Sequence, residues 1–346
     1  MTSYVMLILP SANRVYSGTA TGLAAAEVAA FSDSVLGGAL SEAEVTQLGG
    51  VPYLQFDAGR LDQRATTFLS NVSSCYALFV AHDCLLKPVE LHPLDRYDGD
   101  LITIQKYQGK TNEQFTKLLL NVTILASAFA PEMLNRKLAV LDPLCGRGTT
   151  LNQALMYGYD AAGIDLDGKD FEAYTTFIRT WLKRKRIKHR TEYDGPVRRE
   201  SKVIGRRLQL SLAASKDDQK AGATQRLDVV CADTTRAGEF FRPETFDLVV
   251  TDAPYGVQHG SRSAGGLIRR PQDLLAAAAG TWAKLLRPGG AIGLSWNTLV
   301  ASRVDAAAIL ADAGLEPVES GPYLRFRHRV DQAIVRDILV ARKVAA

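Results

Sequence analysis

Two short segments of this 346-residue chain hold residues whose types and spacing suit chemistry. The first is Leu138-Ala-Val-Leu-Asp142-Pro-Leu-Cys-Gly146-Arg-Gly148-Thr-Thr150, which reads as an apolar strand, a glycine turn and the start of a helix. Gly146 and Gly148 let backbone approach a ligand where any side chain would block it. Asp142 sets this turn apart from a dinucleotide loop. A carboxylate there repels pyrophosphate and suits a cationic ligand with amine and sulfonium groups. Asp165 follows 23 positions later at the end of the next strand, about the spacing at which an acid meets ribose hydroxyls in doubly wound folds. Leu166 beside it is placed to pack on an adenine face. The plain alternative is a tight strand–helix turn with a solvated Asp.

The second segment is Thr251-Asp252-Ala-Pro254-Tyr255-Gly256, directly after the apolar run Phe246 to Val250. Ligands of open α/β sheets bind at strand C-termini. An Asp followed by Pro and an aromatic ring makes a rigid rim that suits an exocyclic amine on a planar base. Asp252 and a main-chain carbonyl accept the amine's hydrogens, and Tyr255 stacks on the base. A Pro-aromatic turn without chemistry is the alternative.

The elements that must position these residues alternate along the chain. Strand-like runs at 138–141, 161–164, 227–231, 246–250 and 291–296 are interleaved with helix-like runs at 149–157, 171–181, 272–286 and 304–314. Alternation of this kind predicts a parallel, doubly wound sheet. The tail, 323–329 and 333–342, suits a closing antiparallel hairpin. Residues 1–95 read as a small N-terminal α/β domain of possible use in substrate recognition: strand 4–9, helix 20–31, strand 52–56, helix 63–72 and strand 75–81. The second domain is 96–346. Thr111, with Gln114 three residues on, has capping-box spacing for a helix carrying Phe115, Leu118, Leu119, Val122 and Leu125.

The motif pair D-P-L-C-G-R-G-T-T and D-A-P-Y-G resembles the S-adenosylmethionine-dependent amino-methyltransferases of nucleic acids. Tyr107-Gln-Gly109-Lys110-Thr111 looks like the N-terminal cofactor motif of that superfamily. The run Asp252-Ala-Pro-Tyr-Gly-Val-Gln-His-Gly-Ser-Arg262 is similar to the tRNA guanine-10 N2-methyltransferase family, over roughly residues 100 to 300. The resemblance implies a class I Rossmann-like methyltransferase, with a mostly parallel seven-stranded sheet and an antiparallel last strand. It implies S-adenosylmethionine as cofactor, with Asp142, Gly146 and Gly148 at its methionine end, Asp165 on the ribose and Asp233 on the adenine amine. Asp252, Pro254 and Tyr255 fall on the target amine. Three departures from the pattern are Ala253, where the family has proline, Gln258-His259, where it has Arg-Glu, and the N-terminal 95 residues, too few for the complete RNA-binding region of that family. The substrate expectation is guanine N2 in tRNA. A DNA adenine-N6 or cytosine-N4 methyltransferase, and a nucleic-acid-binding module whose active site has lapsed, stay open beside it. A small activating subunit also stays open.

Charge points to a polyanion. The formal net charge is only +4, but Lys183 to Arg207 holds 11 bases against three acids, a local +8 that leaves −4 for the rest. The insertion, 183–226, sits between two strands and reads either as a phosphate-gripping arm, with Lys183, Arg184, Lys185, Arg186 and also Arg262 on the substrate, or as a solvated, partly disordered segment. Arg325, Arg327, His328 and Arg329 read as an exposed, charge-protected strand edge. The four cysteines form no C-x-x-C pair and the five histidines no i, i+4 pair, so the expectation is a cytoplasmic, reduced and metal-free protein. Cys145 reads as packing. The apolar stretch 4–9 is too short for a signal peptide and no run of apolar residues suits a membrane span.

Overall fold

The computed structural model describes residues 1–10, 14–83, 85–107, 109–253 and 271–344. The N-terminal layer contains β1 (Thr2–Ile8), α1 (Arg14–Val35), β2 (Glu44–Leu48), β3 (Val51–Ala58), α2 (Gln63–Ser70), β4 (Cys75–His82) and β5 (Leu85–Val89). Its strands form a five-stranded sheet in the order β2-β3-β1-β4-β5, every pair antiparallel. The expected elements are all present, and β2 and β5 are additions at the two edges, where polar residues interrupt β2 and Lys87 and Pro88 interrupt β5.

Two helices lead out of this layer, α3 (Asp100–Thr103) and α4 (Glu113–Ala126). The N-cap of α4 is Asn112, whose side-chain oxygen accepts from the backbone N–H of Gln114 and Phe115. The expected cap, Thr111, is thereby released for another use.

The larger sheet draws on β6 (Ala139–Asp142), α5 (Thr149–Met156), β7 (Asp160–Asp165), α6 (Gly168–Arg184), β8 (Lys188–Arg199), β9 (Lys202–Ala213), α7 (Lys216–Lys220) and β10 (Gln225–Cys231). It continues with β11 (Phe246–Asp252), α8 (Pro271–Leu285), β12 (Leu286–Asn297), α9 (Arg303–Asp312), β13 (Glu316–Pro317), β14 (His328–Arg329) and β15 (Val335–Arg342). The strand order is β13-β15-β12-β11-β6-β7-β10-β9-β8, with β14 paired to β15. Strands β10, β7, β6, β11 and β12 run parallel, and β15 is antiparallel to β12. This is the Rossmann-like α/β sheet with an antiparallel final strand that the sequence predicts.

Strand β11 illustrates why the sheet is central. Leu248 and Val250 face one apolar cluster while Val249 faces another, so its run of apolar residues is buried on both sides. The first cluster is continuous with the N-terminal layer, joining Met6, Phe31 and Phe56 to Phe115, Leu118 and Leu155. The second lies beneath α8 and α9 and contains Trp282, Ile292 and Leu310.

Among the described residues the sheet has ten strands rather than seven, and the excess corrects the reading of the basic insertion. Residues 188–213 are a β-hairpin that extends the sheet beyond β10. Leu208, Leu210 and Leu212 are fully or almost fully buried and alternate with polar residues, a period-2 signal masked by the surrounding charge. No described helix is long and apolar enough to cross a membrane.

Candidate active site

The C-terminal ends of β10, β7, β6 and β11 bring the predicted acids to one edge of the sheet. Asp142 ends β6 and Asp165 ends β7, and the turn between β6 and α5 runs between them. Gly146 and Gly148 both adopt positive φ, +48° and +78°. At Gly148 a side chain would enter the ring of Tyr174, so glycine is required there. The carboxylate of Asp165 is locked to the turn: Gly146 N–H donates to Oδ2 at 2.7 Å and Asp167 N–H to Oδ1 at 2.8 Å.

Burial raises both acids. Asp142, only 3% exposed, is pushed up to about 7 by desolvation, against hydrogen bonds from Thr150 and Leu144 N–H, with the charge of Asp165 adding to the rise. Asp165 is raised in the same way by burial and by Asp170 and Asp167, against the two N–H bonds. Neighbouring acids make this edge receptive to a cation. Burial also holds the Cys145 thiol far above its usual range, which fits packing and not reactivity.

Leu166, 46% exposed, forms the lip beside Asp165. Asp233 follows β10 and caps a short 3-10 helix, Thr234–Glu239, with Oδ1 accepting from Thr235 N–H and Oγ1.

Asp252 stands at the end of β11, two residues beyond the level of Asp142 across the β6–β11 pair. Its side chain is 13% exposed, and Oδ2 accepts a 2.7 Å hydrogen bond from Thr111 Oγ1 while Arg336 Nη2 lies 3.5 Å away. Arg336, from β15, is 5% exposed and stacks over the Phe115 ring at 4.2 Å. His328 packs against the same ring at 5.2 Å and is pushed down to about 4, chiefly by burial, so it is neutral near pH 7. The tail is therefore only partly the exposed edge the sequence suggested: Arg325, Arg327 and Arg329 are exposed, but His328 is buried.

The segment before α4 ties the two motifs together. Tyr107 hydroxyl meets Thr149 Oγ1 at 3.1 Å at the start of α5, and Arg147 lies over the Tyr107 ring at 4.8 Å. Four residues on, Thr111 reaches Asp252. Sequence reasoning placed Thr111 in a run likened to a cofactor motif but missed its bond to Asp252, and it missed Arg336. Thr111 also had the spacing of a helix cap, and Arg336 lies 84 positions from Asp252 in a tail read only as a closing hairpin.

The basic candidates lie elsewhere. Lys183 and Arg184 end α6, whose 17 residues carry them about 25 Å from the edge where it begins. Lys185 is bonded to Asp98 and Asp100, both at 2.7 Å, and Arg186 follows it. The structure thus brings Asp142, Asp165, Asp233 and Asp252 to one edge and sets Lys183–Arg186 at the other. Pro254, Tyr255 and Arg262 lie outside the described residues.

With this geometry in place, comparison with known proteins is specific about one segment. Residues 125–278 match the family described as RMKL-like, methyltransferase domain, which is less than half of the chain. The match supports an S-adenosylmethionine-dependent methyltransferase. Over 128 residues the chain is 30% identical to ribosomal RNA large subunit methyltransferase K/L of Photobacterium profundum, covering 35% of this chain and 18% of that one. The chain thus spans less than a fifth of the length of this curated relative. Among solved structures, a TehB-like S-adenosylmethionine-dependent methyltransferase from Corynebacterium glutamicum aligns at 18% identity, covering 63% of this chain and 85% of that one, TM-score 0.32. The 1,6-didemethyltoxoflavin-N1-methyltransferase of Burkholderia thailandensis aligns at 18% identity over 63% and 76%, TM-score 0.35. The fold rests on the strand order and not on these two likenesses.

The residues present fit S-adenosylmethionine. A Cβ built at Gly146 meets no atom within 4 Å, so open space borders the turn beside the oriented Asp165. The acids along this edge complement a cation, and the half-exposed Leu166 offers an apolar face to a planar ring.

Proposed function

We propose that the chain methylates an exocyclic amine of an RNA base, guanine N2, with tRNA as the favoured substrate. The observation that carries this reading is the Asp252 carboxylate, held by Thr111 at the end of β11 beside the glycine turn. The similarity of residues 125–278 to an RMKL-like methyltransferase domain supports the RNA class, and the Asp252-Ala-Pro-Tyr-Gly-Val resemblance supports guanine N2 in tRNA. Large-subunit ribosomal RNA is a second substrate class, favoured by the name of the Photobacterium relative.

When bound, S-adenosylmethionine supplies an electrophilic methyl group on a sulfonium. Asp165, fixed by two backbone N–H groups, receives the ribose hydroxyls; Asp233 receives the adenine amine; Asp142 and the glycine turn take the methionine end. Asp252 accepts a hydrogen from the acceptor amine and stabilises the positive charge that develops on nitrogen. Thr111 and Arg336 fix the rotation of that carboxylate, so orientation supplies much of the rate.

The test is methyl transfer by the wild-type chain and Asp252→Ala to separated tRNA and ribosomal RNA. Loss of turnover by about 100-fold or more, with calorimetric affinity for S-adenosylmethionine unchanged, is expected. Near wild-type turnover by a folded Asp252→Ala chain would overturn the assignment.

A further inference from the structure

The basic insertion is not a single arm. Its bases are divided between opposite ends of the sheet, and most of those in the middle are already engaged. Arg207 makes two bonds to Asp228, at 2.7 and 2.6 Å. Arg190 pairs with Glu192 and Arg206 with Glu172, and at the far end Lys185 pairs with Asp98 and Asp100.

Strand β9 runs antiparallel to β10, with Arg206 opposite Cys231, the last residue of β10. The hairpin continues past that point to Arg199 and Lys202, which pair across the Glu200–Ser201 turn. At the rise of a strand this projects the turn roughly 13 Å beyond the sheet, at the same edge as Asp165 and Asp252.

The projection is braced. Val197 and Ile204 pack on the apolar cluster that contains Phe240. Gly205 lies so close to the body that a Cβ there would be 2.8 Å from the Cys231 carbonyl. Arg199 reaches Glu239 of the 3-10 helix after Asp233 at 3.7 Å and remains 64% exposed. Arg198 and Lys202 are exposed beside it, with Glu200 the one acid of the turn.

We propose that this hairpin end, through Arg198, Arg199 and Lys202, grips the phosphate backbone of the nucleic acid whose base enters the site. The inference rests on the nucleic-acid reading above. Charge complementarity names the partner: three exposed cations on a fixed projection suit consecutive phosphates. Four strand spacings separate β9 from β11, about 19 Å, or roughly six nucleotides of duplex rise. The hairpin therefore holds a segment flanking the target and does not touch the target base. Lys183, Arg184 and Arg186, at the far end of α6, take no part.

The test uses the full chain and a fluorescently labelled tRNA transcript, with affinity measured across a salt series. Arg198→Ala/Arg199→Ala/Lys202→Ala is expected to bind about tenfold or more weakly and to flatten the log–log salt slope by about 2. Its affinity for S-adenosylmethionine stays at the wild-type value. Lys183→Ala/Arg184→Ala/Arg186→Ala, made as the control, binds the transcript within about twofold of wild type. Wild-type binding by the hairpin variant, or loss confined to the control, overturns the inference. Failure of the wild-type chain itself to bind either this transcript or ribosomal RNA overturns the nucleic-acid reading as well, and is told apart because every variant then behaves alike.

Discussion

At the scale of single residues, Asp142 and Thr111 make the sharpest statements. Asp142, pushed up to about 7 by burial, is partly protonated near neutrality before a ligand binds. A bound cation favours its ionised form. Binding of S-adenosylmethionine therefore releases a proton below about pH 7, and affinity rises with pH until it levels above that value. Calorimetry in buffers of different ionisation enthalpy measures the release, and Asp142→Asn abolishes it; proton uptake on binding would contradict the assignment. Thr111 holds the Asp252 carboxylate through a bond to a charged acceptor, worth about 1.5–3 kcal/mol. Thr111→Val is expected to lower kcat about tenfold or more and to leave affinity for S-adenosylmethionine unchanged. An unchanged kcat would mean that Asp252 is oriented by other groups. The placement of Asp142, Asp165 and Asp252 was legible in the sequence because each acid ends an apolar run, the place where open sheets present ligands. The contacts of Thr111 and Arg336 with Asp252 were not, because they arise only when distant segments meet.

At the scale of elements, the seam between the N-terminal layer and the larger sheet contains a buried carboxylate. Glu27 on α1 accepts from Ser73 N–H and Oγ and from Asn121 Nδ2 on α4. Burial lifts it from 4.5 to about 6, against those same hydrogen bonds. A carboxyl raised in the folded state binds more protons there than in the unfolded chain, so its contribution is full below pH 4.5 and declines as pH rises through about 6. The decline amounts to ~2 kcal/mol. Glu27→Ala should therefore destabilise the chain by about 2 kcal/mol less at pH 7.5 than at pH 4.5, read from denaturant unfolding at both values. An equal cost at both would show that Glu27 does not titrate in this window. The parallel strands were readable because two-sided burial demands unbroken apolar runs. The hairpin β8–β9 was not read, although Leu208, Leu210 and Leu212 alternate, because eleven bases nearby imitate a solvated arm.

At the scale of the whole molecule, the charge map changes meaning once folded. A local +8 suggested one polyanion-binding arm. Folding sends Lys183, Arg184 and Arg186 to one end of the sheet, spends Arg206 and Arg207 on ion pairs, and presents Arg198, Arg199 and Lys202 beside the site. Asp142 and Asp165 then lie at the same edge as the basic hairpin end, between that end and Asp252 along the strand order. The N-terminal layer shares the first apolar cluster with α4 and α5, so it packs as part of the same body. The most direct test of the central claim is transfer of labelled methyl from S-adenosylmethionine to total RNA and genomic DNA of a strain lacking this protein, followed by nucleoside mass spectrometry. The account predicts N2-methylguanosine in the RNA; methyladenine in the DNA with unlabelled RNA would contradict it.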